Sequence, residues 1–217
     1  MSRLDTTGVV VELDVRGEFD RAHRAYARLL GLGHDESIVI GNGSIRPTGG
    51  PGHRVLFGVD DMNAATRLLD RRALSDDEPV SVTDDCPTSP CAGDIPALDH
   101  LVFSAPTRDH AVALFAGVLD LDFRLDQPIG DGVRQLFFRG ADLVVEVVTG
   151  ADPTPHPACS LWGLAWRSAD IEASHRRLTG TAVECSEIRV GRKPGTRIFT
   201  VRDHDLATRT VVLGHAE

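Results

Sequence analysis

Aromatic residues are scarce in this chain, where they make up 5% of 217 residues. A platform for single-stranded nucleic acid needs exposed aromatic side chains, so that class of protein is disfavoured. Basic residues are also outnumbered, with 23 Lys and Arg against 32 Asp and Glu and a formal net charge of -9. This balance argues against nucleic acid or an anionic membrane surface as the main partner.

Long apolar runs are missing as well. No stretch approaches the roughly 18 apolar residues that a membrane-spanning helix needs. The N-terminal stretch MSRLDTTGVVVELDVRGE reaches acidic residues too early for the apolar core of a signal peptide. We therefore expect a cytoplasmic protein with no membrane partner.

Cysteine is rare, with Cys86, Cys91, Cys159 and Cys185 in the chain. Their spacing matches no zinc-ribbon pattern, and a cytosolic location favours free thiols. A zinc site or disulfide at Cys86 and Cys91 is disfavoured because no second pair of ligands accompanies them.

The sequence does contain a repeated order of elements. Four segments share a short β-type run, a turn and an amphipathic helix, and they begin at VVVELDV, RVLFGV, LDHLVF and LWGLAW. Strand-like runs follow each helix, with two or three in the later segments and one in each of the first two. The repeating unit is therefore β-α-β-β-β, and its first two copies are shortened.

This unit predicts an α+β fold of repeated βαβββ modules in two tandem halves. The loop at 84–97 is the best boundary, because it is polar and rich in proline. We expect an abbreviated pair of units over 1–83, a linker over 84–97 and a C-terminal domain over 98–217.

Two polar residues interrupt the strands of the C-terminal half: His100 in LDHLVF and Glu146 in LVVEVV. Because side chains alternate across a strand, Leu98, His100 and Val102 should share one face. A carboxylate on a buried face must meet a cation, accept hydrogen bonds or become protonated. A divalent metal held by both groups would satisfy the two at once. The alternative, a satisfied core histidine and a solvent-facing glutamate, stays open.

The order of elements resembles the vicinal oxygen chelate superfamily, which includes glyoxalases, bleomycin-resistance proteins and extradiol dioxygenases. The resemblance is strongest over 97–214, in LDHLVFSAPTRDHAVALFAGVLDLDF, LWGLAWRSADIEASHRRL and SEIRVGRKPGTRIFTVRD. It implies sheets that curve into an open half-barrel with a metal and a small molecule on the concave face. It also implies a His on the first strand and a Glu on the last strand of a module as metal ligands, the positions of His100 and Glu146.

The fourth unit departs from that pattern. Its corresponding positions fall near Gly163 and Val211, which cannot bind a metal through their side chains. The N-terminal half offers Arg54 where a His would be needed. The nearby His53 and His204 are alternatives, and water or substrate oxygens would otherwise complete the coordination.

A basic turn, RVGRKPGTR at 189–197, stands out in an acidic protein. We predict that Arg192, Lys193 and Arg197 bind a substrate carboxylate, enolate or phosphate, although a solvated hairpin tip would look the same. Trp162 and Trp166 are two steps of the strand alternation apart and should share a face. Trp166 is the predicted aromatic wall of the pocket, with core packing as the alternative.

Two functions follow from these features. The first is a glyoxalase- or dioxygenase-like metal-dependent enzyme, a lyase, isomerase or dioxygenase, acting on a small oxygenated and anionic molecule. In it, His100 and Glu146 hold a divalent ion (Fe, Mn, Ni, Co or Zn). The alternative for Glu146 is catalytic proton transfer, as the general base of an isomerase or lyase. The second is a metal-free small-molecule binding or drug-sequestration protein of the bleomycin-resistance kind. The resemblance implies a homodimer in either case.

Overall fold

The structure is a computed structural model that describes residues 4–33, 36–90, 93–140, 142–150 and 157–215. The strands within these ranges are β1 (Thr6–Asp14), β2 (Val39–Ile40), β3 (Gly43–Thr48), β4 (Arg54–Val59), β5 (Val80–Thr83), β6 (Ala97–Ala105), β7 (Asp122–Gly130), β8 (Val133–Arg139), β9 (Val144–Thr149), β10 (Ser160–Arg167), β11 (Arg189–Val190), β12 (Thr196–Val201) and β13 (Arg209–His215). The helices are α1 (Phe19–Leu30), α2 (Met62–Arg71), α3 (Arg108–Ala111), which continues as a π-helix over Val112–Val118, α4 (Ile171–Gly180) and a 3-10 turn at His204–Leu206.

The strands form two sheets. The larger sheet has the order β11-β12-β13-β10-β6-β9-β8-β7. At its centre β6 and β10 pair antiparallel, and each has the last strand of its own unit, β9 or β13, parallel on its other side. This arrangement of two βαβββ units confirms the predicted fold class.

The smaller sheet repeats the pattern with fewer strands, in the order β2-β3-β1-β4-β5. Here β1 and β4 pair antiparallel, β1 lies parallel to β3 and β4 lies parallel to β5. The N-terminal units are therefore shortened copies of the C-terminal ones, as predicted. The segment between β5 and β6 connects the two sheets.

Local sequence determines where the helices begin and end. Asp61, Thr107 and Asp170 are N-caps whose side chains accept a hydrogen bond from the backbone N–H three residues later. Helix α1 ends at Gly31, whose φ of 72° lies in the left-handed region that favours glycine. Of the helices in the described ranges, none combines the length and apolar character needed to cross a membrane.

One cluster of buried apolar side chains includes residues of both sheets. Tyr26 of α1 is fully buried, its ring lies 6.0 Å from that of Trp166, and its hydroxyl donates to the backbone carbonyl of Leu206 at 2.8 Å. Because removal of this apolar surface from water stabilises the folded chain, the two halves pack as one unit. Three of the cysteines, Cys86, Cys159 and Cys185, are free thiols, and Cys159 is buried. Cys91 lies outside the described residues.

A polar contact also joins the halves at the C-terminal end of α1. Arg177 of α4 donates to the backbone carbonyls of Arg28 and Leu29 at 2.6 and 2.8 Å. Asp94 accepts from the same guanidinium at 2.6 Å and from the Ser174 hydroxyl at 2.7 Å. The last carbonyls of a helix lack donors within the helix, so a cation there satisfies them and complements the helix dipole.

Replacing Arg177 by Ala should lower the free energy of unfolding by about 2 kcal/mol, because several charged hydrogen bonds are lost and Asp94 loses its cation. The exposed neighbour Arg176 is the matched control, and Arg176→Ala should change stability by less than about 0.5 kcal/mol. Chemical denaturation followed by circular dichroism measures both variants. Equal stability of the two would contradict this role for Arg177.

Candidate active-site cleft

One face of the larger sheet borders an open cleft of about 2000 Å³. Every strand from β6 to β13 contributes side chains to its wall, as does the turn between β11 and β12. The lining includes Val102, Phe137, Val148 and Ile198 beside the charged groups described below. A large, partly apolar hollow with a few convergent polar groups is the usual form of a small-molecule site.

A β-bulge in β6 decides which side chains reach the cleft floor. His100 pairs with Ala165, but Leu98 pairs with Trp166, so Asp99 is an extra residue on β6. Leu98 is buried in the core, whereas Asp99 and His100 both line the cleft. The prediction that Leu98 and His100 share a face is therefore wrong, because the bulge interrupts the alternation.

A second bulge, in β10, brings Trp162 into the cleft. The register with β6 shifts between Leu161 and Gly163, which makes Trp162 the extra residue. Trp162 is 43% exposed, and the guanidinium of Arg209 lies 4.1 Å from its ring centre. This cation–π contact holds the indole as an aromatic wall of the cleft.

Trp166 lies on the opposite face of the sheet, fully buried against Tyr26. The prediction that Trp162 and Trp166 share a face is wrong, again because a bulge separates them. The structure thus assigns Trp166 to the core, and it is Trp162 that lines the cleft.

His100 and Glu146 meet on the cleft floor. The strands β6 and β9 are parallel neighbours, and His100 Nε2 lies 3.4 Å from Glu146 Oε2. Their side chains are 16% and 14% exposed, respectively. The structure therefore brings together the two polar residues that the sequence singled out.

Two further side chains fix the orientation of this pair. Asp99 Oδ2 lies 2.9 Å from His100 Nδ1, and Gln135 Nε2 donates to Glu146 Oε1 at 2.5 Å. Gln135 in turn accepts from the side-chain amide of Gln127 at 3.1 Å. Neither Asp99 nor Gln135 was singled out from the sequence, since no residue pattern reports a bulge or a contact across β8 and β9.

The electrostatics of the pair follow from burial and from these hydrogen bonds. Burial lowers the pKa of His100, but hydrogen bonds to Asp99 and Glu146 outweigh it and raise the pKa to about 9. Burial raises the pKa of Glu146, but hydrogen bonds from His100 and Gln135 outweigh it, and the net pKa is lowered. At neutral pH and with no other cation bound, His100 is therefore an imidazolium between the carboxylates of Asp99 and Glu146.

The same geometry fits a divalent ion with two protein ligands. Asp99 on Nδ1 holds the ring so that Nε2 faces Glu146, which is how carboxylates orient histidine ligands in metal sites. The separation of 3.4 Å between Nε2 and Oε2 suits neighbouring ligands of one ion. Among the described residues, no third imidazole, carboxylate or thiol has a ligand atom within 4.8 Å of the ligand atoms of both His100 and Glu146. The exposed His204 lines the cleft but is also not part of such a group. Water or ligand oxygens would fill the other positions.

The positions near which the resemblance would place further metal ligands also lie at the cleft. Gly163 and Val211 both line the cleft and bring no ligand side chain. His53 accepts from the backbone N–H of Asp14 at 3.1 Å through Nδ1, and its Nε2 lies 3.0 Å from the carbonyl of Ala207. Both ring nitrogens of His53 are engaged, so it joins the two halves rather than offering a lone pair to a metal.

The basic turn divides between the two faces of the sheet. Arg192 and Lys193 are exposed and line the cleft. The charge of Arg192 favours the ionised form of Glu146, and that of Lys193 favours the ionised form of Asp99. Arg197 instead forms an ion pair with Glu172 of α4, outside the cleft. Contrary to the prediction, alternation along β12 turns Arg197 away from the ligand space.

In metal-free protein, Glu146→Gln should lower the pKa of His100 below its value of about 9, because one of the two carboxylates that favour the imidazolium is lost. A pH titration of the His100 ring signals by NMR measures this shift. The exposed Glu187 lies outside the cleft, so Glu187→Gln is the control and should leave the titration unchanged.

The same group makes stability depend on pH. Because the folded-state pKa is raised from 6.5 to about 9, His100 stabilises the fold fully below pH 6.5, and this contribution is lost as the pH rises through about 9. In a His100→Ala variant, the free energy of unfolding should decline less over this range. Identical pH profiles would refute the placement of His100 between two carboxylates.

No protein-family model matches this chain, and no curated protein matches it in sequence. Solved structures do match it. A mutant of 4-hydroxymandelate synthase from Streptomyces coelicolor is 12% identical, with 99% of this chain and 93% of that chain covered and a TM-score of 0.67. A xylose isomerase-like TIM barrel/4-hydroxyphenylpyruvate dioxygenase fusion protein is 11% identical, with 99% and 50% covered and a TM-score of 0.68.

A methylmalonyl-CoA epimerase from Mycobacterium tuberculosis is 20% identical over 58% of this chain and 92% of that chain, with a TM-score of 0.48. The two likenesses that extend over the whole chain confirm the predicted resemblance: this protein has the fold of the vicinal oxygen chelate superfamily.

Proposed function

We propose that this protein is a metal-dependent enzyme, a lyase, isomerase or dioxygenase, that acts on a small anionic oxygenated molecule in the cleft. His100 and Glu146 hold the divalent ion in this proposal, and Glu146 is also the group that exchanges a proton with the bound molecule. The observation that carries it is the 3.4 Å contact between the partly buried imidazole of His100 and the partly buried carboxylate of Glu146. Arg192 and Lys193 line the same cleft.

Each neighbouring side chain has a part in binding. Arg192 and Lys193 are exposed at the cleft and provide charge for a carboxylate, enolate or phosphate. Trp162 provides an aromatic surface, and the valines of β6 and β9 an apolar one. These features select an organic anion with an apolar portion over an inorganic ion.

The polar neighbours prepare the pair for chemistry. Asp99 orients the His100 ring, and Gln135 occupies one oxygen of Glu146 so that the other faces His100. Because its pKa is lowered, Glu146 is ionised at neutral pH and accepts a proton from a bound molecule rather than donating one. When bound, a divalent ion would act as a Lewis acid on an oxygen of that molecule.

Protein purified without chelators should contain a divalent metal, and His100→Ala should lose one equivalent of it, since a single carboxylate does not retain the ion. Elemental analysis by mass spectrometry measures the content. His204→Ala, which alters an exposed histidine on the cleft wall, is the matched control and should keep the metal. Equal metal content in wild type and His100→Ala would exclude His100 as a ligand.

The basic turn can be tested separately with an apolar anion such as anilinonaphthalene sulfonate. Arg192→Ala and Lys193→Ala should each weaken binding by roughly 5-fold, the effect of an exposed charge pair worth about 1 kcal/mol. Arg197→Ala should not alter it, because Arg197 pairs with Glu172 outside the cleft. Fluorescence titration distinguishes the three variants, and a loss in Arg197→Ala equal to the others would contradict this division of the turn.

A second candidate is a metal-free binding protein that sequesters a small anion. It is favoured by the way Asp99 and Glu146 already satisfy His100 and by the absence of ligand side chains at Gly163 and Val211. The metal measurement separates the two functions. Metal-free protein that binds the apolar anion with unchanged affinity when metal is added would support sequestration.

A further inference from the structure

A second polar cluster lies outside the cleft, where the two halves of the chain meet. Glu78 precedes β5, His110 belongs to α3, and Cys159 precedes β10. Their ligand atoms all lie within 4.8 Å of one another. None of the three lines the cleft that contains His100 and Glu146.

The cluster places a buried carboxylate next to a buried thiol. Glu78 is 7% exposed and Cys159 is 4% exposed. Glu78 Oε1 lies 2.6 Å from His110 Nε2, and its Oε2 accepts the backbone N–H of Cys159 at 3.1 Å. Burial, followed by the charge of Glu78, raises the pKa of the Cys159 thiol. A buried thiol against a buried carboxylate is a pair that a bound cation would stabilise.

We propose that Glu78, His110 and Cys159 form a zinc-binding site that joins the two halves of the protein, with water as the fourth ligand. A set of one sulfur, one nitrogen and one oxygen ligand suits Zn²⁺, whereas Mg²⁺ and Ca²⁺ take oxygen ligands. On binding, a Zn–S bond replaces the S–H bond of Cys159, and the thiol proton leaves to solvent. His110 binds as the neutral imidazole with its hydrogen on Nδ1, so Nε2 gives up the hydrogen that it shares with Glu78 Oε1.

The geometry needs little change to accept the ion. With bonds of about 2.0 to 2.3 Å, the ligand atoms of a tetrahedral zinc lie roughly 3.3 to 3.7 Å apart. The distance between His110 Nε2 and Glu78 Oε1, now 2.6 Å, would increase by about 1 Å. The distances from these two groups to Cys159 Sγ, at most 4.8 Å, would decrease by about 1 Å or less. The backbone N–H of Cys159 keeps Glu78 Oε2 in place and leaves Oε1 for the ion. His110 is 32% exposed, which gives the ion a path from solvent.

The position of the cluster gives the ion a structural role. Glu78 is 32 residues from His110 and 81 residues from Cys159 along the chain, so the three ligands come together in the folded state. An ion that binds the folded chain and not the unfolded chain stabilises the fold. It would attach the smaller sheet to α3 and β10 of the larger one.

Cobalt(II) is the probe that tests this site, because a thiolate ligand gives it a sulfur-to-metal charge-transfer band in the near ultraviolet. Reduced, chelator-treated full-length protein titrated with Co²⁺ should develop this band, and Zn²⁺ should abolish it. In His100→Ala, which lacks the proposed cleft ligand, the band should reach full intensity with one ion per chain. The band should be absent in Cys159→Ser. Cys86→Ser and Cys185→Ser, which alter the free thiols outside the cluster, are the matched controls and should keep it.

Among the residues that the structure describes, no cysteine lines the cleft, so an ion held by His100 and Glu146 gives no such band. The presence or absence of the band therefore tests the Cys159 site alone, whether or not the proposed enzyme function is correct. His100→Ala should retain it in full.

Stability provides the second readout. Zn²⁺ at 100 times its dissociation constant should raise the Tm of the His100→Ala protein, which lacks the proposed cleft ligand, by at least about 5 °C. This rise should be lost when His110→Ala is added to that variant. His110→Ala alters a partly exposed helix residue and serves even if Cys159→Ser does not fold. Absence of the band in wild type, or its persistence in Cys159→Ser, overturns the proposal. An equal rise of Tm in the His100→Ala protein with and without His110→Ala also overturns it.

Discussion

The antiparallel pairing of β6 with β10 is the contact on which both the fold and the site depend. It joins two βαβββ units into one sheet, with β9 and β13 added on either side. Each of the two strands carries one extra residue, and the two extra residues, Asp99 and Trp162, both face the cleft. In a regular pairing Asp99 would face the core, where a carboxylate is strongly disfavoured. The bulges therefore place a hydrogen-bond partner beside His100 without burying a charge in the apolar layer.

In the proposed enzyme, a proton and the divalent ion would compete for Nε2 of His100. With two carboxylates as neighbours, the pKa of His100 is about 9, so a divalent ion must displace a proton from Nε2 at neutral pH. The carboxylates that favour the proton also favour the ion, because both are cations. Arg192 and Lys193 oppose either cation and favour a bound anion instead. In this proposal, the occupancy of the site depends on the competition between a proton and a divalent ion and on the binding of an anion.

The N-terminal half contributes to the cleft chiefly through its contacts with the C-terminal half. Helix α1 is anchored by Tyr26 on Leu206 and by Arg177 on its final carbonyls. His53 links β1 to the chain just before β13 through its two ring nitrogens. These contacts anchor α4 and the segment that precedes β13, and β13 is one of the strands that line the cleft.

The sequence by itself determined the repeat of βαβββ units, the shortening of the first two copies and the pairing of His100 with Glu146. The repeat follows from strand and helix periodicity, which is a local property of the chain. The pair follows from two polar residues within apolar strands, at the positions that the resemblance to the superfamily implies for metal ligands. Tertiary structure alone decided which faces Leu98, Trp166 and Arg197 occupy. A one-residue register shift, such as those in β6 and β10, cannot be read from the residue pattern. Nor does the pattern show that α4 lies beside β12, where Glu172 pairs with Arg197. Tertiary structure also decided the meeting of Glu78 with Cys159, since residues far apart along the chain become neighbours only when the two sheets pack on one core.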